Sequence, residues 1–160
     1  MEYVFDVRAK KLTFILMAVG LLSIVLGFFG GDHASQRVWT SILISGFFFF
    51  GVGLTGTFFL AIQYAAESGW PTVLKRIFEG VAAYLPIGSL ALIIVFLAGT
   101  FHFHHIYHWM DADLYDPASP HYDEIIAHKQ AYLNLPFWWI RTIAYLAVYI
   151  WFTMLFRKRS

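Results

Sequence analysis

The chain has 160 residues, of which 59% are hydrophobic, 20% aromatic and only 13% charged, too apolar a mix for a water-soluble globular domain, where about a quarter of residues carry charge. Its net charge of +1 arises from 11 basic and 10 acidic residues placed at the ends of apolar runs rather than in one patch, so nucleic acid is not an expected partner. It has no cysteine, which excludes disulfides, thiolate metal sites and iron–sulfur ligation by this chain and leaves histidine as the only basis for a redox centre.

Apolar runs at about 12–30, 39–62, 85–101 and 136–156 each approach the roughly 20 residues that cross a hydrocarbon core of about 30 Å. They predict an all-α fold, a polytopic membrane protein in which residues 1–160 form one membrane domain, a four-transmembrane-helix bundle. Span one is too long for a signal-peptide core and no small-residue cleavage site follows it, so it is expected to remain in the mature protein. Gly30-Gly31-Asp32-His33 reads as the turn after it, opening a short loop from Asp32 to Val38. Span two carries Ser41, Ser45, Gly46, Gly51, Gly53, Thr55, Gly56 and Thr57; small residues let membrane helices approach closely, which predicts a central position. These glycines neither follow a strand nor open a phosphate loop, so no nucleotide site is indicated.

Before span three, Val73, Leu74, Ile77, Phe78 and Val81 recur at helical spacing while Lys75, Arg76 and Glu79 fill the other face, predicting an amphipathic helix from about Thr72. Pro86 with Gly88 should bend it where it enters the bilayer. A long loop, about 102–135, follows span three. Within it DPASP at Asp116–Pro120 is a turn, and HYDEIIAHKQAYLN reads as a short surface helix with Asp123 and Glu124 at its positive end. Pro136 suits the first turn of span four, where its missing N–H costs nothing.

The basic residues fix an orientation. Arg8, Lys10 and Lys11 precede span one, Lys75 and Arg76 lie between spans two and three, and Arg157, Lys158 and Arg159 follow span four. The opposite side has Arg37 and Lys129, with Arg141 just inside the membrane. The positive-inside rule therefore predicts an N-in/C-in topology with the 102–135 loop outside.

Four histidines crowd the stretch TFHFHHIYHWMDAD at Thr100–Asp113. If span three runs on as a helix, His104 and His108 lie about 40° apart, His105 about 60° further round and His102 another 60°, so all four share one arc. The i, i+4 pair His104 and His108 has spacing that can hold a divalent metal, with Asp111 or His121 as third ligand. A bis-histidine haem b takes axial ligands from two spans, and spans one, two and four contain no histidine, which argues against haem held within this chain. Two further readings stand beside the metal: an interfacial belt with Phe101, Phe103, Tyr107 and Trp109, and a proton-handling or partner-docking surface, since histidine titrates near neutral pH.

Arg141 sits about 7–8 Å down span four, at 1.5 Å per residue from Pro136. It either snorkels to the outer surface or points into the bundle toward an acid, a carbonyl or a ligand headgroup. No acidic residue lies deep in the spans, so an internal salt bridge has only Asp32 or the start of the long loop to offer, and a partner from outside this sequence is expected. Glu79 is either an i, i+4 partner of Lys75 or the first carboxylate of a proton path. No serine is presented for Ser/His/Asp chemistry.

Three segments together resemble one family: SGWPTVLKRIFEGVAAYLPIGSLALIIVFLAG, the following HHIYHW, and HKQAYLNLPFWWIRTIAYLAVYIWF with RKRS. They are similar to the N-terminal part of the ActF-type integral membrane subunit of alternative complex III, a bacterial quinol:electron-acceptor oxidoreductase, over about Gly69 to Ser160. The most specific block is Lys129, Tyr132, Leu133, Asn134, Pro136, Phe137, Ile140 and Arg141, supported by KRIFEG and YLP between Lys75 and Pro86; spans one and two match only as hydrophobic helices. The resemblance implies an NrfD/PsrC-like membrane protein of the bacterial cytoplasmic membrane, packed beside a related polytopic subunit and lipid, with periplasmic haem c and iron–sulfur subunits above it. It implies no cofactor on this chain itself, a role in assembly, and proton conduction or quinone contact, with Glu79, His102, His104, His105, His108 and Arg141 as candidates for a polar path. Family chains are longer and have more spans, so sites completed by later helices fall outside these residues. The alternative, read from the residues alone, is a small four-span scaffold or transporter with a periplasmic His-rich metal site on His104 and His108.

Overall fold

The computed structural model describes residues 6–31, 33–67 and 69–159. Six α-helices lie among the described residues: α1 (Val7–Gly27), α2 (Ala34–Ala65), α3 (Lys75–Ala82), α4 (Leu85–Thr100), α5 (Glu124–His128) and α6 (Leu135–Arg159). Among these residues four stretches are long and apolar enough to cross a membrane, namely α1, α2, the run Lys75–Thr100 that joins α3 to α4, and α6. The chain is thus an all-helical, multi-pass membrane protein, and no strand occurs among the described residues.

Helix ends differ from the apolar runs because polar residues extend the helices past the hydrocarbon. α1 starts at Val7 rather than near residue 12, because the Asp6 carboxylate accepts the Arg8 N–H (3.3 Å) and caps a first turn that carries the basic residues. α2 starts at Ala34, so most of the loop expected from Asp32 to Val38 is helical; Asp32 itself lies outside the described residues. The turn into it uses positive φ at Gly31 (94°) and His33 (61°). With 32 residues α2 is about 48 Å long at 1.5 Å per residue and overhangs a bilayer core.

The bend expected at Pro86 and Gly88 is an interruption. A 3₁₀ turn at Trp70–Val73 precedes α3, so the amphipathic helix begins at Lys75 instead of Thr72. α3 stops at Ala82, and α4 restarts at Leu85 with Pro86 in its first turn, where no N–H is needed. Pro136 plays the same part in α6.

α2 occupies the centre, packing on α3, α4, α6 and the nearer end of α1. The small residues explain how. A Cβ on Gly56 would lie 2.9 Å from the Phe78 carbonyl oxygen and 3.0 Å from the Ala82 nitrogen, so only glycine lets the two backbones meet there. Beside this seam Phe50, Leu85, Leu92, Phe96 and Leu146 form the core, with Trp138 and Trp139 packed on it. Deep between α2 and α6 the hydroxyls of Thr57 and Thr153 lie 2.7 Å apart; Thr153 donates to the Tyr149 carbonyl (2.8 Å), so Thr57 is the donor between them.

The accessible surface is 11688 Å², against about 8,200 Å² for a folded soluble protein of this mass. The excess is apolar helix surface that lipid or neighbouring protein must cover.

Candidate functional site

α4 ends before any of the four clustered histidines. The His102 N–H donates to the Gly99 carbonyl (3.0 Å) and the Phe103 N–H to the Ala98 carbonyl (2.9 Å), while His102 adopts φ 58°. This is a Schellman closure with histidine at the left-handed position that glycine usually fills. The common helical arc expected for His102, His104, His105 and His108 is therefore absent: the 100° repeat stops at Thr100, and the residues beyond follow a folded connector to α6.

The closure turns His104 inward. Its ring is 3% exposed, its Nε2 lies 3.0 Å from the Val95 carbonyl, and its Nδ1 accepts the Ile106 N–H at 3.4 Å. Both ring nitrogens are thus engaged by the backbone. Gly99 makes the room, since a Cβ there would meet His104 Cε1 at 2.9 Å, and Trp39 of α2 packs at 5.5 Å between ring centroids. The expected His104 and His108 metal pair does not form: His104 is a buried structural residue, and His108 stands exposed in a 3₁₀ turn, His108–Met110.

The polar cluster assembles from other members. His102 Nδ1 lies 3.4 Å and His105 Nδ1 3.6 Å from the same oxygen, Oδ1 of Asp111. One ligand atom from each of the three side chains falls within 4.8 Å of the other two. They line one wall of a cleft of about 520 Å³ to which His108, Asp113 and His121 also contribute. Asp111 and His121, expected as third ligands to a helical pair, thus face the same space as His102 and His105.

The connector is held from several sides. The His105 N–H donates to Gln36 Oε1 of α2 (3.2 Å). The Tyr115 hydroxyl reaches the carbonyls of Trp109 (2.7 Å) and Leu133 (3.0 Å), joining the connector's beginning to its end. Burial pushes the Tyr115 phenol above its ordinary value, and that of Tyr107 likewise. The Asp123 carboxylate caps α5 by accepting from Ile125 (2.9 Å) and Ile126 (3.2 Å), so Asp123 and Glu124 do sit at its N-terminus; α5 is shorter than expected, ending at His128. The Gln36 contact and the Tyr115 brace carried no signal in the sequence, because a polar residue at a helix end and a loop tyrosine look alike whether or not they hold another segment.

The block around Arg141 is a second polar unit. Asn134 Oδ1 accepts the Phe137 N–H (2.9 Å) and caps α6, while its amide donates to the carbonyls of Gln130 (3.1 Å) and Ala131 (3.0 Å). The Arg141 guanidinium runs back toward this cap and lies 3.8 Å from the Tyr132 ring centroid and 5.2 Å from that of Phe137. Cation–π contact with these rings holds it. Its Nη1 is buried and has no hydrogen-bond partner among the described residues.

Glu79 is half-buried on α3, while Lys75 places its Nζ 5.0 Å over the Tyr64 ring. Glu79 and the histidines stand at opposite ends of α4, whose 16 residues span about 24 Å. The structure does not bring the six candidates into one cluster. No protein-family model matches the chain, and no curated protein matches it.

Proposed function

We propose that this chain is a membrane subunit of a bacterial quinol:electron-acceptor oxidoreductase of the alternative complex III type, set N-in/C-in in the cytoplasmic membrane and without redox centres of its own. One observation carries the reading: the residue block that resembles the ActF-type subunits folds as a single unit ending in an unanswered charge. Asn134 caps the helix, the Arg141 guanidinium lies against the rings of Tyr132 and Phe137, and one guanidinium nitrogen is buried without a hydrogen-bond partner among the described residues. A buried, unsatisfied donor on a cation costs several kcal/mol in general unless a neighbour answers it, which favours a second subunit or a quinone oxygen beside Arg141. α1, with no buried residue, offers a further face for the related polytopic subunit.

In this assembly the chain scaffolds quinol oxidation carried out with periplasmic haem c and iron–sulfur subunits. Glu79 at one end of the α3–α4 unit and His102, His105 and His108 at the other are the candidate terminal groups of a proton path, whose middle the neighbouring helices supply. The test is affinity purification from native membranes in mild detergent. Haem c and iron–sulfur polypeptides, with quinol-oxidising activity, should accompany the chain; recovery of the chain alone would sink the reading.

A further inference from the structure

We infer that the connector between α4 and α6 carries a site for a divalent transition-metal ion of the zinc class, with His102 Nδ1, His105 Nδ1 and Asp111 Oδ1 as its protein ligands and the fourth position facing the cleft. The assignment does not require the respiratory reading; within it, an ion on His102 and His105 would leave His108 as the free histidine at that end of the proton path.

The distances separate a metal site from a hydrogen-bonded cluster. Zinc holds imidazole nitrogen and carboxylate oxygen at about 2.0–2.2 Å, so neighbouring ligand atoms of a tetrahedral site lie about 3.3–3.5 Å apart. Charge-assisted hydrogen bonds between the same groups are shorter, about 2.7–2.9 Å. The two imidazole nitrogens stand 3.4 and 3.6 Å from one carboxylate oxygen: both are too far to share a proton well, both match the edge of a coordination tetrahedron, and they are almost equal. The third edge, at no more than 4.8 Å, closes by rotation of two exposed rings whose centroids are 6.0 Å apart.

The backbone that presents these ligands is pinned. His102 is fixed by the helix closure, with both its own N–H and that of Phe103 bonded to α4. His105 is fixed by Gln36 of α2. Asp111 follows Met110, which is buried at 7% exposure and anchors the turn, and the Asp111 N–H bonds to the His108 carbonyl (3.0 Å). Ligands on such anchored positions need little reordering to bind. Two neutral imidazoles and one carboxylate favour zinc and its neighbours over magnesium or calcium, which prefer all-oxygen shells. Side-chain exposures of 53%, 59% and 30% for His102, His105 and Asp111 leave the ion open to solvent and exchangeable. Bound metal would tie the Asp111 turn to the end of α4 and clamp the connector over the helix ends.

The experiment titrates Zn²⁺ alone into the detergent-solubilised full chain in competition with a chromophoric chelator. One Zn²⁺ per chain is expected, and His102→Ala, His105→Ala and Asp111→Asn should each weaken binding by about tenfold or more, in line with metal sites generally. His128→Ala, whose ring pairs with Glu124 on α5 at 3.7 Å, should leave it unchanged. Co²⁺ in place of Zn²⁺ should give the visible absorption of a four-coordinate ion, lost in His102→Ala. Where an alanine variant loses its helical circular dichroism, His105→Gln takes its place. Absence of a stoichiometric Zn²⁺, or full retention of it in His105→Gln or in the folded double variant His102→Ala/His105→Ala, overturns the assignment.

Discussion

α1 and α4 are both long apolar helices, yet α1 buries no residue while α4 buries Leu85, Gly88, Ser89, Leu92, Val95, Phe96, Ala98 and Gly99, half of its 16 residues. Hydrophobicity does not separate them, because lipid tails are as apolar as leucine and give a membrane helix no reason to leave them. Shape does. α4 and the adjoining α3 meet α2 where Gly53 and Gly56 remove side chains from the seam, and the core fills the space beside it. In α1 a Cβ added at Gly20 would touch nothing within 4 Å, and one at the terminal Gly27 would meet a side chain, Val38 Cγ2 at 2.8 Å, rather than backbone. A glycine in a membrane helix therefore tells of packing only when another backbone comes to meet it.

That contrast can be broken by placing the same small change at each site and measuring unfolding in mixed micelles by circular dichroism. Gly56→Ala should cost most, about 1–3 kcal/mol, since the new methyl meets backbone atoms that cannot step aside. Gly99→Ala should cost less, about 1 kcal/mol, because the atom in the way belongs to the His104 ring, which can shift; the shift is expected to weaken the contact to the Val95 carbonyl and show in the His104 imidazole NMR signal. Thr57→Val, which deletes the donor to Thr153, should cost about 0.6 kcal/mol, the usual worth of an interhelical hydrogen bond in membranes. Gly20→Ala should cost nothing and gain up to about 1 kcal/mol from helix propensity. Equal losses at Gly56 and Gly20 would end the comparison.

The spans are legible in the sequence because a bilayer imposes a length, and about 18 or more apolar residues in a row rarely serve any purpose but crossing it. The ends are less so. Asp6 capping and the helical reach of Ser35–Val38 depend on local hydrogen bonds in the polar interface rather than on hydropathy. Spacing misplaces the histidine cluster for a definite reason: helical periodicity carries on past Thr100 in the sequence, although α4 closes there without the usual glycine. The residue types are right and the geometry is not. His104 goes inside because Gly99 and Trp39 leave a slot for its ring, and His102 and His105 meet Asp111 through a fold of the connector, neither of which any spacing in HFHHIYHW encodes. In the Arg141 block the sequence shows the parts, and their joining, with the cation against two aromatic rings, becomes visible only in three dimensions.

The left-handed backbone of His102 places one side chain under two opposed demands. A non-glycine residue in that conformation is held at a conformational cost of about 1 kcal/mol, so glycine would suit the turn better than the histidine that occupies it. His102→Gly should therefore stabilise the end of α4 while it weakens Zn²⁺ binding, moving the two properties in opposite directions. The two measurements together separate what His102 does for the turn from what it does for the ion.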